Sequence, residues 1–67
     1  MSVARVTEIS ATSEQSFEDA IRQGLERATR TLRGVTSAWI KEQQVKLQDG
    51  KVTAYQVNMQ VTFVLED

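Results

Sequence analysis

An Asp49-Gly50 pair between two β-rich runs constrains this chain more than any other feature of the sequence. The runs cover residues 35–47 and 52–65, and Asp-Gly is a favoured pair for a two-residue type I′ turn, in which both residues adopt positive φ. The second run alternates apolar and polar residues, so that its two sets lie on opposite faces of a sheet. The apolar set is Tyr55, Val57, Met59, Val61, Phe63 and Leu65, and the polar set is Gln56, Asn58, Gln60 and Thr62. The pattern predicts an antiparallel hairpin with one buried face.

Apolar residues at three- and four-residue steps predict one amphipathic helix ahead of this hairpin. They are Phe17, Ala20, Ile21, Gly24, Leu25, Ala28 and Leu32. Ser13 is the expected N-cap, although Thr12 with Gln15 also fits a capping box. Arginines near the end of the stripe, followed by Gly34, predict that the helix ends at Arg33. The apolar stripe needs a sheet to cover it.

The remaining β-type segment, residues 3–10, predicts a short first strand. The order is then β-α-β-β, an α+β domain in which a three-stranded antiparallel sheet wraps around one amphipathic helix. At 67 residues the chain is one domain, residues 1–67. Ordering costs of roughly 1.5 kcal/mol per residue nearly cancel what so short a chain can bury at about 25 cal/mol/Å². Association of identical copies is therefore expected to stabilise the fold.

The composition excludes most enzyme chemistry. The sequence has no histidine and no cysteine, so it lacks the usual ligands for zinc, copper and iron-sulfur sites, a Ser-His-Asp triad, a thiol nucleophile and disulfides. Its net charge of −1 and its balanced arginines do not favour nucleic-acid binding. No apolar run is long enough to span a membrane and no signal-peptide core is visible, so a cytoplasmic protein that is not an enzyme is expected.

A regular register counted from the turn divides the hairpin between two faces. Ala38 and Ile40 then lie beside Val61 and Met59 under the helix, and Glu42 also turns toward the helix. An isolated carboxylate is costly to bury there, unless it pairs with a helix arginine or lies near an open edge. The outer face, defined as the sheet face away from the helix, carries apolar residues that the chain has no second helix to cover. They are Val35, Trp39, Val45, Leu47, Val52 and Val64.

Amide side chains lie between those apolar groups. Gln56 is in a polar row with Asn58 and Gln60, and the regular register places Gln43 opposite Gln56. The row has three possible roles. It is the solvent-exposed side of a sheet, a contact between subunits, or part of a pocket in which a flat heterocycle stacks and the amides hydrogen-bond to its edge. Trp39 fits either a buried interface anchor or a stacking surface.

Three short segments stand at characteristic spacings along the chain. They are Ala11-Thr12-Ser13-Glu14 before the helix, Thr31-Leu32-Arg33 at its end, and Tyr55-Gln56-Val57 leading to Val61-Thr62-Phe63-Val64-Leu65-Glu66. Together with the β-α-β-β order and the length, these segments resemble the dodecin family across nearly the whole chain. The resemblance implies a hollow homododecamer built from trimers that stores and buffers flavin, either riboflavin or FMN.

The resemblance also implies where the flavin lies. Dodecins hold flavins in pairs at two-fold contacts, each ring system stacked on a tryptophan of the second strand and contacted by a glutamine of the third. The glutamine corresponds to Gln56, whereas the stacking position falls on Ser37. Trp39 lies two residues further along the same strand face, about 6.6 Å away at the usual rise. The family's arginine-bearing segment reads Gln43-Gln44 here, which removes an expected phosphate partner.

The expected binding residues are thus Gln56, Ser37, Trp39 and Gln43, with flavin as the ligand at sites between subunits. Two alternatives stay open. In the first, the same assembly binds another small molecule or a cation through Glu42 and the amide oxygens. In the second, the assembly is purely structural. The expected partners are further copies of this chain and a small molecule, with neither nucleic acid nor membrane.

Overall fold

Three antiparallel strands wrap one helix in the predicted β-α-β-β order. The computed structural model describes residues 2–65, so that Glu66 of the last family-like segment lies outside the described residues. The elements are β1 (Ala4–Ser13), α1 (Phe17–Thr31), β2 (Val35–Gln48) and β3 (Lys51–Val64). In the sheet, β3 lies between β1 and β2 and is antiparallel to both. The predicted fold class is confirmed, although β1 runs three residues past its predicted end at residue 10.

The core lies between α1 and the central strand β3. Val57, Met59 and Val61 are fully buried, and Ala20 of the helix is buried against them. At one end of this core the rings of Phe17 and Tyr55 meet edge to face, with centroids 5.1 Å apart. The alternation read from the sequence therefore identified the residues that the helix covers.

The helix begins three residues later than predicted. Its N-cap is Ser16, whose hydroxyl oxygen accepts a 2.9 Å hydrogen bond from the Asp19 backbone N–H. Ser13, the predicted cap, ends β1 instead. Its hydroxyl oxygen accepts from the Gln15 and Ser16 backbone N–H groups and donates at 2.6 Å to the Asp19 carboxylate. Both serines contact Asp19, Ser16 at its backbone N–H and Ser13 at its carboxylate. Neither Ser13 nor Thr12, the two caps predicted from the sequence, is the N-cap.

The helix also ends earlier, at Thr31 rather than Arg33. Leu32 is the C-cap, and its backbone N–H donates to the carbonyl oxygen of Ala28 at 2.9 Å. Gly34 has a φ of 73°, and its carbonyl oxygen accepts a hydrogen bond from the backbone N–H of Val64. A Cβ at Gly34 would lie 2.9 Å from the carbonyl oxygen of Val64. The chain must pass this close to β3 before β2 begins. Leu32 and Arg33 therefore belong to the turn between α1 and β2 and not to the helix.

The hairpin is much longer than the helix. Each hairpin strand has 14 residues and spans about 46 Å, whereas the 15 residues of α1 span about 22 Å. The chain is accordingly elongated, with extents of 52 × 19 × 13 Å. The half of the hairpin nearest the turn, called the hairpin arm here (residues 44–55), reaches beyond the helix. Its apolar side chains Val45, Leu47 and Val52 are exposed.

The predicted turn is confirmed, since Asp49 and Gly50 both have positive φ, 52° and 77°. The regular register is confirmed at Ala38 with Val61 and at Ile40 with Met59, but it does not hold along the whole hairpin. Thr36 and Lys41 are extra residues in β2, and Thr53 is an extra residue in β3. Pairs between the β-bulges at Lys41 and Thr53 are therefore displaced by one position, and the bulge at Thr36 displaces Val35.

The displacement overturns several face assignments, because paired residues share a face. Gln43 pairs with buried Val57 on the helix side, and Gln44, not Gln43, pairs with Gln56. Glu42 pairs with Asn58 and lies on the outer face, contrary to the prediction.

The apolar outer-face set also changes. Val35 and Val45 pair with Phe63 and Tyr55 and thus lie on the helix side. Leu47 follows two residues after Val45 on the same strand and shares its side, as does its partner Val52. Trp39, opposite Gln60, stays on the outer face as predicted. The exposed large apolar groups therefore lie in three places. Val6 and Trp39 are on the outer face, Val45, Leu47 and Val52 are on the hairpin arm, and Val3 lies beside Leu65 at the other end of the sheet.

Replacing Gly24 with valine is expected to destabilise the fold by about 1–3 kcal/mol. A Cβ there would lie 2.7 Å from the Met59 terminal methyl and 3.0 Å from the Ala11 Cβ, so the buried Met59 side chain would have to move and α1 would have to shift slightly away from β1. The matched control is Glu26→Val on the exposed helix face, which should cost less than about 0.5 kcal/mol. Urea unfolding at one protein concentration measures both, and equal losses would contradict close packing at Gly24.

Replacing Asp19 with asparagine should lower stability at neutral pH but not in acid. Hydrogen bonds to its carboxylate, above all from Ser13 and then from Arg22 and Gln23, hold the pKa of Asp19 below its ordinary value of 3.8. A carboxyl with a lowered pKa stabilises the folded state above pH 3.8 and loses that effect as the pH falls toward the folded-state pKa.

Unfolding free energies of wild type and Asp19→Asn should therefore differ at pH 7 and converge below pH 3.8. Glu14→Gln, which changes an exposed carboxylate in the same loop, is the control for general charge effects. A difference that stays constant between pH 7 and pH 3 would contradict the assignment.

Candidate functional site

The outer face is built on β3, whose residues are flanked on both sides because β3 is the central strand. Four outer-face residues of β3, namely Gln56, Asn58, Gln60 and Thr62, each have one neighbour on β1 and one on β2. The four rows, written β1–β3–β2, are Val6–Thr62–Ser37, Glu8–Gln60–Trp39, Ser10–Asn58–Glu42 and Thr12–Gln56–Gln44. The middle of this face is therefore polar, with one large aromatic ring at its β2 edge.

Trp39 is the largest exposed apolar group on this face, with 73% of its surface accessible. It pairs with Gln60, and Gln60 pairs on its other side with Glu8. The Lys41 ammonium lies 3.3 Å from the Glu8 carboxylate, and both side chains are half exposed. Such an exposed ion pair contributes little stability, about 1 kcal/mol at most. Trp39 thus offers an open ring face beside a charge-balanced pair.

A chain of side-chain hydrogen bonds joins the next two rows. The Gln56 side-chain N–H₂ donates to the Ser10 hydroxyl at 3.0 Å and to the Asn58 side-chain carbonyl at 3.3 Å. The Asn58 side-chain N–H₂ donates in turn to the Glu42 carboxylate at 2.9 Å. The bulge at Lys41 makes this last contact possible, because it brings Glu42 onto the outer face.

The four predicted site residues do not come together in one copy. Ser37 is exposed and lies one row beyond Trp39, opposite Thr62. Gln56 lies four residues from Gln60 along β3, about 13 Å at the usual rise, so Trp39 and Gln56 are separated by a similar distance. Gln43 lies on the other side of the sheet. Trp39 and Gln56 are thus on the same face. Within a single chain, however, they are too far apart for both to contact the same small ring.

Two outer-face residues were not among the predicted site residues, namely Gln44 beside Gln56 and Glu42 beside Asn58. One sequence signal pointed to Glu42. A regular register turned its carboxylate toward the helix without a partner, an arrangement that costs several kcal/mol. From the sequence, that conflict predicts a salt bridge or an open edge, whereas the structure resolves it by the register change between Ile40 and Glu42.

The concave surfaces of one copy flank the helix instead. One groove lies between α1 and β1 and includes Gln23, Gly24 and Arg27. The other runs along the opposite side of the helix and includes Ile21 and Leu25. Neither groove includes any of the predicted site residues. Within residues 2–65, no group of three acidic, histidine or cysteine side chains is placed to hold a metal ion, and no helix is long and apolar enough to cross a membrane.

An aromatic surface beside hydrogen-bonding amides is the combination used by small-molecule-binding proteins. Comparison with known proteins gives the family. A family model described as Dodecin matches residues 3–66. A relative named Dodecin from Thermus thermophilus is 37% identical over 65 residues, which are 97% of this chain and 94% of the relative. The chain belongs to the dodecin family.

Solved structures agree with this assignment. The dodecin from Streptomyces davaonensis has a TM-score of 0.92 and 36% identity, covering 98% of this chain and 97% of that one. A second structure, described as the calcium-chelating immunodominant antigen calcium dodecin from Mycobacterium tuberculosis, has a TM-score of 0.83 and 28% identity. It covers 96% of this chain and 91% of that one. The fold is therefore shared with a family member that is described as chelating calcium.

Proposed function

We propose that this chain forms a hollow homododecamer built from trimers and stores flavin, riboflavin or FMN, at the contacts between its copies. Trp39 provides the stacking surface and Gln56 contacts the edge of the ring. Ser37 is the position at which this chain lacks the aromatic group that the family uses. The observation that carries the proposal is Trp39 itself, a 73% exposed indole on the same sheet face as Gln56 in a dodecin fold.

The separation of Trp39 and Gln56 supports a site made by two copies. Within one chain they are about 13 Å apart along the strand direction. A second copy that faces the first across a two-fold axis brings its own Gln56 toward the first copy's Trp39. Such a contact buries the indole between two sheets and removes it from water, whereas in a single copy the indole stays exposed.

Flavin is favoured over a cation as the ligand. Among residues 2–65 of one copy, carboxylates do not gather into a group of three that would hold a metal. Glu42 accepts from Asn58 through one carboxylate oxygen and has one oxygen left, and Glu8 is paired with Lys41. A flat heterocycle, in contrast, can use both the exposed indole and the amide row.

Riboflavin titrated into the purified protein should lose fluorescence as it stacks on Trp39. Trp39→Leu removes the aromatic ring and should weaken binding roughly fivefold, the equivalent of about 1 kcal/mol of stacking. Trp39→Phe is the matched control, since it keeps an aromatic ring and should retain most of the affinity. Unchanged riboflavin emission at micromolar wild-type protein would reject flavin binding.

A tryptophan introduced at Ser37 is expected to tighten riboflavin binding, because it places a second indole one row from Trp39. The measurement is the same fluorescence titration, carried out on Ser37→Trp and on Ser37→Leu as a size control. Equal affinity for the two variants would mean that Ser37 does not line the ring site.

The association can be tested separately by size-exclusion chromatography with light scattering. The mass should be close to twelve times the 7.5 kDa of one chain. Leu47→Asp should reduce it, because a charge would be buried where copies cover the hairpin arm. Thr29→Asp on the exposed helix face is the control and should leave the mass unchanged. A wild-type mass of one chain would contradict the proposed assembly.

A further inference from the structure

The hydrogen-bond chain on the outer face has a fixed direction, and Glu42 sets it. An ionised carboxylate has no hydrogen to donate and can only accept. The group of Asn58 that lies 2.9 Å from Glu42 must therefore be its side-chain N–H₂. This contact leaves the side-chain carbonyl oxygen of Asn58 pointing toward Gln56.

The same constraint passes to Gln56. The Asn58 carbonyl oxygen can only accept, so the Gln56 group facing it at 3.3 Å must be the side-chain N–H₂. The second hydrogen of that group is donated to the Ser10 hydroxyl at 3.0 Å. Both donors of Gln56 are then used. Its carbonyl oxygen remains, and within residues 2–65 it accepts no hydrogen bond from the protein.

We infer that Glu42 is a positioning residue that makes Gln56 a hydrogen-bond acceptor toward the ligand. The inference rests on the proposed function, because it concerns the ring bound at that site. Gln56 oriented in this way favours ligands whose polar edge carries an N–H or O–H donor, and it disfavours ligands that offer only acceptors. An oxidised flavin ring has one such donor at its pyrimidine edge, the N3–H group between two carbonyls.

Two further features favour a donor-bearing ligand. The second carboxylate oxygen of Glu42 is available as another acceptor, since Asn58 contacts only one of the two. Gln44, where the resemblance led to the expectation of a basic segment, lies opposite Gln56 and brings no positive charge to this row. The two neighbouring rows that contain Gln56 and Asn58 therefore combine acceptors with one negative charge, that of Glu42.

The test compares riboflavin with 3-methylriboflavin, which keeps the stacking surface but lacks the N3–H donor. Wild-type protein should bind riboflavin roughly tenfold more tightly, because the methyl group leaves the Gln56 oxygen unpaired. In Glu42→Leu the amides are free to reverse, and the ratio of the two dissociation constants should fall to about twofold or less. Glu42→Asp keeps a carboxylate and should restore part of the discrimination.

The ratio separates this role from a merely structural one, since loss of folding weakens both ligands equally. If riboflavin binds and the ratio is the same in wild type and Glu42→Leu, the role of Glu42 is wrong while flavin storage stands. If wild-type protein binds neither ligand, flavin storage is wrong. The orientation of the Asn58 and Gln56 amides is then tested on the ligand-free protein.

Side-chain amide NMR provides that second measurement. Glu42→Leu should shift the amide proton resonances of both Asn58 and Gln56 and should speed their exchange with water severalfold, because the anchoring acceptor is gone. Glu8→Leu, which removes the other outer-face carboxylate, is the control and should leave both resonances in place. Amide resonances and exchange rates that do not respond to Glu42→Leu would overturn the inference.

Discussion

The structure depends on the mismatch in length between one short helix and one long hairpin. A helix of 15 residues covers only about half of two 14-residue strands, so the fully buried residues cluster at Val57, Met59 and Val61, where the helix lies. Among the described residues, the hairpin arm is covered by the helix only at Tyr55, which packs on Phe17, and the outer face has no second layer over it. The mismatch therefore leaves open the same sheet face that carries the candidate site.

Much of the fold was readable from local patterns with a direct physical cause. The Asp49-Gly50 turn requires two positive φ values, and only a few residue pairs tolerate them. Strict alternation in β3 identified its buried side, since a half-buried strand has a period of two. The helix ends were less predictable. Several hydroxyl residues could cap the start, and the choice of Ser16 follows from contacts with Asp19 that involve residues on both sides of the loop.

The candidate site was predicted only in part. Trp39 and Gln56 were placed on the correct face because Trp39 lies before the bulge at Lys41 and Gln56 lies on the unbulged part of β3. Gln43 and Glu42 were misplaced because they lie beyond that bulge, and an extra residue leaves no mark in a pattern of alternating side chains. The hydrogen-bond chain from Gln56 to Glu42 could not be read from the sequence, since it links positions whose pairing depends on where the register changes.

The bulges at Lys41 and Thr53 lie in opposite strands and have opposite effects on the pairing. The extra residue Lys41 exchanges inside and outside for the rest of β2, and the extra residue Thr53 cancels the offset and restores the pairing before the turn, so that Leu47 and Val52 both lie on the helix side. The Thr53 hydroxyl donates to the Lys46 carbonyl oxygen at 3.4 Å where that offset ends. The place of one unpaired residue thus decides whether the Glu42 carboxylate lies under the helix or beside Asn58 on the opposite face of the sheet.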